Sequence, residues 1–186
     1  MTIRAATADD VEAVVELAAA RRVQYEAYQP VFWRPAADAA VRQRPYLADL
    51  IVDESVITLV AVDDDEALIG FLIAALAPAP AVYDPGGLTC IVDDFTVASS
   101  ADWPTVGAGL LRAVRSTAAG RGAAQIVVMT AQLDEAKRAD LAASGLSVAS
   151  EWWVGRASPT ERRRRSTGHR QRDAVDRSPS RRRRSP

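Results

Sequence analysis

The chain has 186 residues, 48% hydrophobic and 25% charged, enough for one domain with a core of its own. A single cysteine, Cys90, rules out an internal disulfide, and no apolar run approaches the roughly 20 residues of a membrane span. The net charge of −1 hides a division: residues 1–156 carry 12 basic and 21 acidic side chains, residues 157–186 carry 11 and 3.

The tail, residues 157–186, has almost no apolar side chains and cannot offset its ordering entropy, so a disordered Arg-rich extension is expected beyond a domain ending near Arg156. The start, MTIRAATADD, has no apolar run of signal-peptide type. Together with the lone cysteine, this leads to the expectation of a cytoplasmic protein without a membrane segment.

In chain order, residues 2–7 read as a short strand, and Thr7 or Asp9 caps a helix with Val11, Val14, Val15 and Leu17 or Ala18 along its stripe. An aromatic stretch with Tyr25, Tyr28, Phe32 and Trp33 follows, broken by Pro30 and Pro35. A second helix is expected over 36–53, with Val41, Tyr46, Leu47, Leu50 and Ile51 inward. The period then changes to that of strands, over 57–65 and 67–76 around an acidic turn, and again over 88–98. Asp102 is a candidate cap for a helix that opens with Pro104 and buries Val106, Leu110, Leu111 and Val114. Residues 124–131 form an apolar run of the kind buried on both faces of a sheet. A helix over 134–144 stops at Gly145, and the alternating residues 146–156 read as a closing strand. The strand–helix–strand unit over 88–131 is expected to be a parallel crossover.

Gly107 and Gly109 sit near the start of the 102–115 helix, where each glycine costs roughly 1 kcal/mol relative to alanine. Two reasons for them are open: close packing of a strand, or an anion held by backbone N–H groups at a helix N-terminus. The stretch is neither a P-loop nor a complete dinucleotide fingerprint, since Arg112 stands at the third glycine position.

The element order over 2–156 resembles the GNAT superfamily of N-acetyltransferases. The family's Q/R-x-x-G-x-G/A motif after the fourth strand is matched by Pro104-Thr105-Val106-Gly107-Ala108-Gly109, its I-E-D-L-x-V strand by IVDDFTV, and its closing Gly-Phe by Gly145-Leu146. The resemblance implies an α/β fold with a mixed, twisted sheet of about six strands and helices on both faces. It also implies acetyl-CoA as co-substrate; with one cysteine and the only histidine in the tail, no metal site is expected. The backbone of Val106, Gly107, Ala108 and Gly109 would hold the pyrophosphate, and the edge of the fourth strand at Phe95 and Val97 the pantetheine amides. An amine, of a small molecule or of a protein N-terminus or lysine, would attack the thioester directly. Three positions depart from the family: Pro104 for Gln/Arg, Asp134 for an asparagine, and Leu141 for a tyrosine that commonly protonates the leaving thiolate.

Asp93 and Asp94 interrupt an apolar strand. Successive strand residues alternate faces, so at most one is expected to face the acceptor. The resemblance puts Asp93 at the family's glutamate as the first choice of base, with Asp94 next. A structural role for both, capping or pairing at the sheet ends, is the alternative. Tyr25, Tyr28, Phe32 and Trp33 are candidates to wall the acceptor site, or else a satellite core. One of Trp152 and Trp153 is expected in the core. Cys90 reads as a buried strand residue, and the only histidine, His169, lies in the tail. A homodimer and nucleic acid bound through the basic tail are the further partners considered. An acyl-CoA-binding or regulatory protein of the same fold, without catalysis, is the alternative function.

Overall fold

The computed structural model describes residues 1–157. The expectations placed on 158–186, the disordered tail and its histidine included, lie outside the described residues.

Among the described residues, five strands and four helices follow one another in the expected order. They are β1 (Thr2–Ala5), α1 (Val11–Tyr28), α2 (Ala39–Val52), β2 (Val56–Val62), β3 (Leu68–Ala77), β4 (Leu88–Val97), α3 (Ala108–Gly120), β5 (Ala123–Val128) and α4 (Glu135–Ala143). The sheet order is β1-β2-β3-β4-β5, antiparallel throughout except for the expected parallel pair β4–β5. No helix among the described residues is long and apolar enough to cross a membrane.

Alternation along the strands sorts the core into two layers. Val60, Phe71 and Ile73 face α1 and α2, packing with Val14, Ala18 and Leu47. Ile57, Leu59, Ala61, Leu72 and Ala74 face the other way, onto Leu110, Leu111 and Val114 of α3 and Leu141 of α4. The helices thus cover both faces, and the α3 stripe is buried as its spacing indicates.

Local chemistry sets the element ends. Asp10 accepts both terminal nitrogens of Arg4 at 2.7 and 2.8 Å and the Thr7 N–H at 2.7 Å, fixing the entry to α1. Asp63 accepts the N–H groups of Asp65 and Ala67 across the acidic turn. Gly145, at φ 79°, ends α4 in the left-handed region that favours glycine.

Five expectations are corrected. Residues 146–156 form no strand. Alternation describes a strand's side chains without supplying a partner, and Trp152 and Trp153 are 74% and 91% exposed, so neither is core. β5 is therefore the sheet edge and not a strand buried on both faces: Val127 is exposed. In α2, Val41 and Tyr46 are exposed while Leu47 and Ile51 are buried. Finally, the helical run that leads into α3 begins earlier than expected. Ser99 accepts the Ala101 N–H, a 3-10 turn covers Ser100–Asp102, and a π-helical turn covers Trp103–Gly107 before α3 proper.

Candidate active site at the β4 bulge

Ile73 of β3 pairs with Asp94 and Ala74 pairs with Val92, so Asp93 is an extra residue in β4. The bulge changes the parity of the strand. Cys90 and Val92 before it and Phe95 and Val97 after it all pack into the α3 layer. Without the extra residue, Asp94 would share their face and put a carboxylate into an apolar core at a cost of several kcal/mol. With it, Asp93 and Asp94 both turn to the opposite face. The expectation that the two side chains alternate faces is thereby corrected.

The two carboxylates line a cleft of about 310 Å³ with Tyr46 and Leu50 of α2, Ile73 of β3, Ile91 of β4 and Met129 beyond β5. Burial raises the Asp94 carboxyl above its ordinary range. The Asp93 charge adds to this, and Lys137 and Arg22 oppose it. Burial also raises the Tyr46 phenol, with Asp94 and Asp93 contributing, so the hydroxyl keeps its proton at neutral pH.

Beside the bulge the two parallel strands separate. Their last paired residues are Val92 and Val128, and the Met129 N–H closes the ladder on the Val92 carbonyl at 3.0 Å. Beyond that point Lys137 of α4 reaches into the gap. Its Nζ donates to the Phe95 carbonyl at 3.0 Å and to the Met129 carbonyl at 2.9 Å. Lys137 is 1% exposed, and burial lowers its pKa to about 7, with Arg21 adding to the shift. Trp103 stacks edge-on against Phe95 at 4.8 Å.

The turn at 106–109 is packed from inside. A Cβ on Gly107 would lie 2.4 Å from the Trp103 ring, and one on Gly109 would lie 2.7 Å from Ile3 Cδ1 of β1. The Ala108 N–H donates to the Thr105 and Trp103 carbonyls. Close packing therefore accounts for both glycines. Val106, Gly107, Ala108 and Gly109 lie within a continuous helical run and not at its free N-terminus.

The four aromatics come together but not around the carboxylates. Tyr25 lies 5.9 Å from Tyr28 and 4.9 Å from Trp33, Phe32 lies 4.7 Å from Trp33, and Trp152 joins at 6.1 Å from Phe32. Tyr25 is buried, and its hydroxyl accepts from Arg21 at 2.8 Å and donates to Asp134 at 3.2 Å. Asp134 pairs with Arg21 and caps α4. None of the four lines the cleft, whose walls come from α2 and the sheet.

Tyr46 and Lys137 were not singled out as site residues by sequence. Lys137 had two signals. It is the only lysine in an arginine-rich chain, and it lies one helical turn before the apolar Leu141.

For an acyl-CoA donor, the gap fits in part. Its two carbonyls are acceptors that an arm with N–H donors could use, and Lys137 already uses them here. The Ala108 N–H is engaged internally.

Solved structures share the architecture. The F44R mutant of the BH1408 protein from Bacillus halodurans superposes with a TM-score of 0.73 at 17% identity, covering 84% of this chain and 99% of that one. A ribosomal-protein-alanine N-acetyltransferase from Brucella melitensis gives 0.59 at 20% identity, over 84% and 99%. A predicted acetyltransferase from Clostridium acetobutylicum, solved with acetyl-CoA, gives 0.65 at 15% identity, over 83% and 95%. The chain has the GNAT acetyltransferase fold. No family model and no curated protein matches its sequence. In this chain the β4 bulge and the β4–β5 gap lie side by side, with the carboxylate cleft at the bulge and the Phe95 and Met129 carbonyls at the gap.

Proposed function

We propose that the protein is an N-acyltransferase that moves an acetyl group from acetyl-CoA to a primary amine held by Asp93 and Asp94. The observation that carries this reading is the bulge, which turns two adjacent carboxylates into one cleft beside an unpaired strand edge.

A primary alkyl amine has a pKa near 10, so only about one molecule in a thousand is neutral at pH 7. The pair of carboxylates attracts the ammonium form. Asp94, whose proton affinity is raised, then takes the proton, directly or through water, and leaves a lone pair free to attack. Asp93, the more exposed of the two, holds the charge of the incoming amine. Tyr46 stands at the wall of the cleft as a protonated donor. The donor arm is assigned to the β4 edge at Phe95 and Val97, and its phosphates to Val106, Gly107, Ala108 and Gly109, where the Ala108 N–H must leave its internal carbonyls. Acetyl-CoA, when bound, supplies an activated acyl group on a thiol of pKa about 8.5, a leaving group that does not require a strong acid at Leu141.

The test is release of free thiol by the full chain from acetyl-CoA across a panel of small amines and peptides with free N-termini or lysines. Amine-dependent thiol release supports the reading. Its absence across the panel, with acetyl-CoA bound, favours the second reading, a donor-binding or regulatory protein of this fold. The side chain of Lys137 in the gap is the observation that favours that alternative.

A further inference from the structure

Lys137 is the only lysine of the chain, and it is placed where β4 and β5 part. Its Nζ uses two backbone carbonyls, one from each side of the gap. A neutral amine has two N–H groups, and these two acceptors satisfy both. An ammonium has a third, and among the described residues Nζ has no third acceptor. The rings of Phe95 and Trp103 lie 5.1 and 5.6 Å from Nζ. Arg21 of α1 repels its charge, and Asp94 and Asp93 of β4 attract it. Asp134, at the N-cap of α4, is already paired with Arg21. Arginine would hold its charge in such a place at any working pH, whereas lysine can give up its proton.

We propose that Lys137 is the resting occupant of the donor groove, and that an acyl-CoA arm binds by displacing its Nζ from the Phe95 and Met129 carbonyls. This rests on the assignment of the β4 edge to the donor. The amine and the arm are alternative donors to the same acceptors, so the groove is never left with bare carbonyls, and binding carries the cost of moving the lysine out.

The two positions of Lys137 differ in proton affinity. In the groove its pKa is about 7, and released into water it returns toward 10.5. The released state therefore binds the extra proton between those limits. Lowering the pH through this window favours release and tightens donor binding, and below about pH 7 nothing further is gained.

The experiment titrates acetyl-CoA, which carries no free thiol, into the full chain without amine, following heat or tryptophan fluorescence from pH 7 to about pH 9. The unmodified chain is expected to lose about tenfold in affinity per pH unit over that range. Lys137→Met, which leaves both carbonyls bare, is expected to bind at least about tenfold tighter at the upper end and to show no such slope. Equal affinities and equal slopes for the two proteins overturn the proposal while the donor assignment stands. Absence of binding by both overturns the proposal and the donor assignment together. If Lys137→Met fails to fold, the slope of the unmodified chain decides: a flat profile overturns the proposal.

Discussion

Asp93 and Asp94 are neighbours in the chain and face the same cleft, because Asp93 has no partner of its own on β3. The arrangement is costly to the fold. An acid whose folded pKa lies above its unfolded value releases its proton first from the unfolded chain. Stability therefore falls as the pH rises from the ordinary carboxylate range, near 3.8, through the raised value of Asp94. Asp94→Asn removes that loss. Its urea midpoint should exceed the parent's at neutral pH, and the gap should close near pH 4. A gap that does not depend on pH would show that the carboxylate is not strained by its surroundings.

Gly107 and Gly109 should differ as sites for alanine. A Cβ on Gly107 meets the ring of Trp103, which is buried against Phe95 and has no free space to move into. Overpacking of this kind costs about 1–3 kcal/mol. A Cβ on Gly109 meets the tip of Ile3, a flexible chain end. Gly107→Ala should therefore lower the melting temperature clearly more than Gly109→Ala. The reverse order would contradict the packing account of the glycines.

Arg21 and Asp134 tie α1 to the start of α4, and both are largely buried. Asp134→Ala removes the α4 cap and strands the guanidinium, whose Nε already lacks a partner among the described residues. Breaking a buried pair from one side typically costs about 3–5 kcal/mol. Chemical denaturation should register a loss approaching that range, and Arg21→Met with Asp134→Leu together should recover part of it. A loss no larger than that of an ordinary surface substitution would show that the pair is not holding the two helices.

Asp10 gives the opposite acid response to Asp94. The hydrogen bonds from Arg4 hold its carboxyl below the usual range, with Thr7 adding to the effect. Its contribution to stability is complete above its unfolded pKa, near 3.8, and is lost as the pH falls through the lower folded value. Asp10→Asn should be less stable than the parent at neutral pH, and the difference should shrink below about pH 4. An unchanged difference in acid would mean that Asp10 acts only as a cap.

The order of elements and the α3 stripe were legible because period and local capping fix them. The bulge was not, since it exists only in the pairing of β4 with β3: Asp93 and Asp94 showed as an interruption of an apolar strand, and regular alternation put them on opposite faces. The edge position of β5 was hidden for the same reason: an apolar run such as 124–131 does not say which strands flank it. Residues 146–156 had the pattern of a strand but found no partner. Tyr46 stands on α2 between buried Leu47 and exposed Pro45, so hydropathy placed it inward while the helix turns it to the cleft. The carboxylates themselves were visible from the start. Which face they share was a tertiary fact.

The rate of acetyl transfer to a good amine acceptor, measured against pH for the parent and for Asp94→Asn, tests the central claim most directly. With Asp94 as the base, the variant should turn over at least about 100-fold more slowly at neutral pH. The gap should narrow as the pH approaches that of the free amine, with acetyl-CoA affinity unchanged. Asp93→Asn should chiefly raise the KM for the amine. Turnover by Asp94→Asn equal to the parent's at every pH would contradict the account and remove the carboxylate cleft from the chemistry.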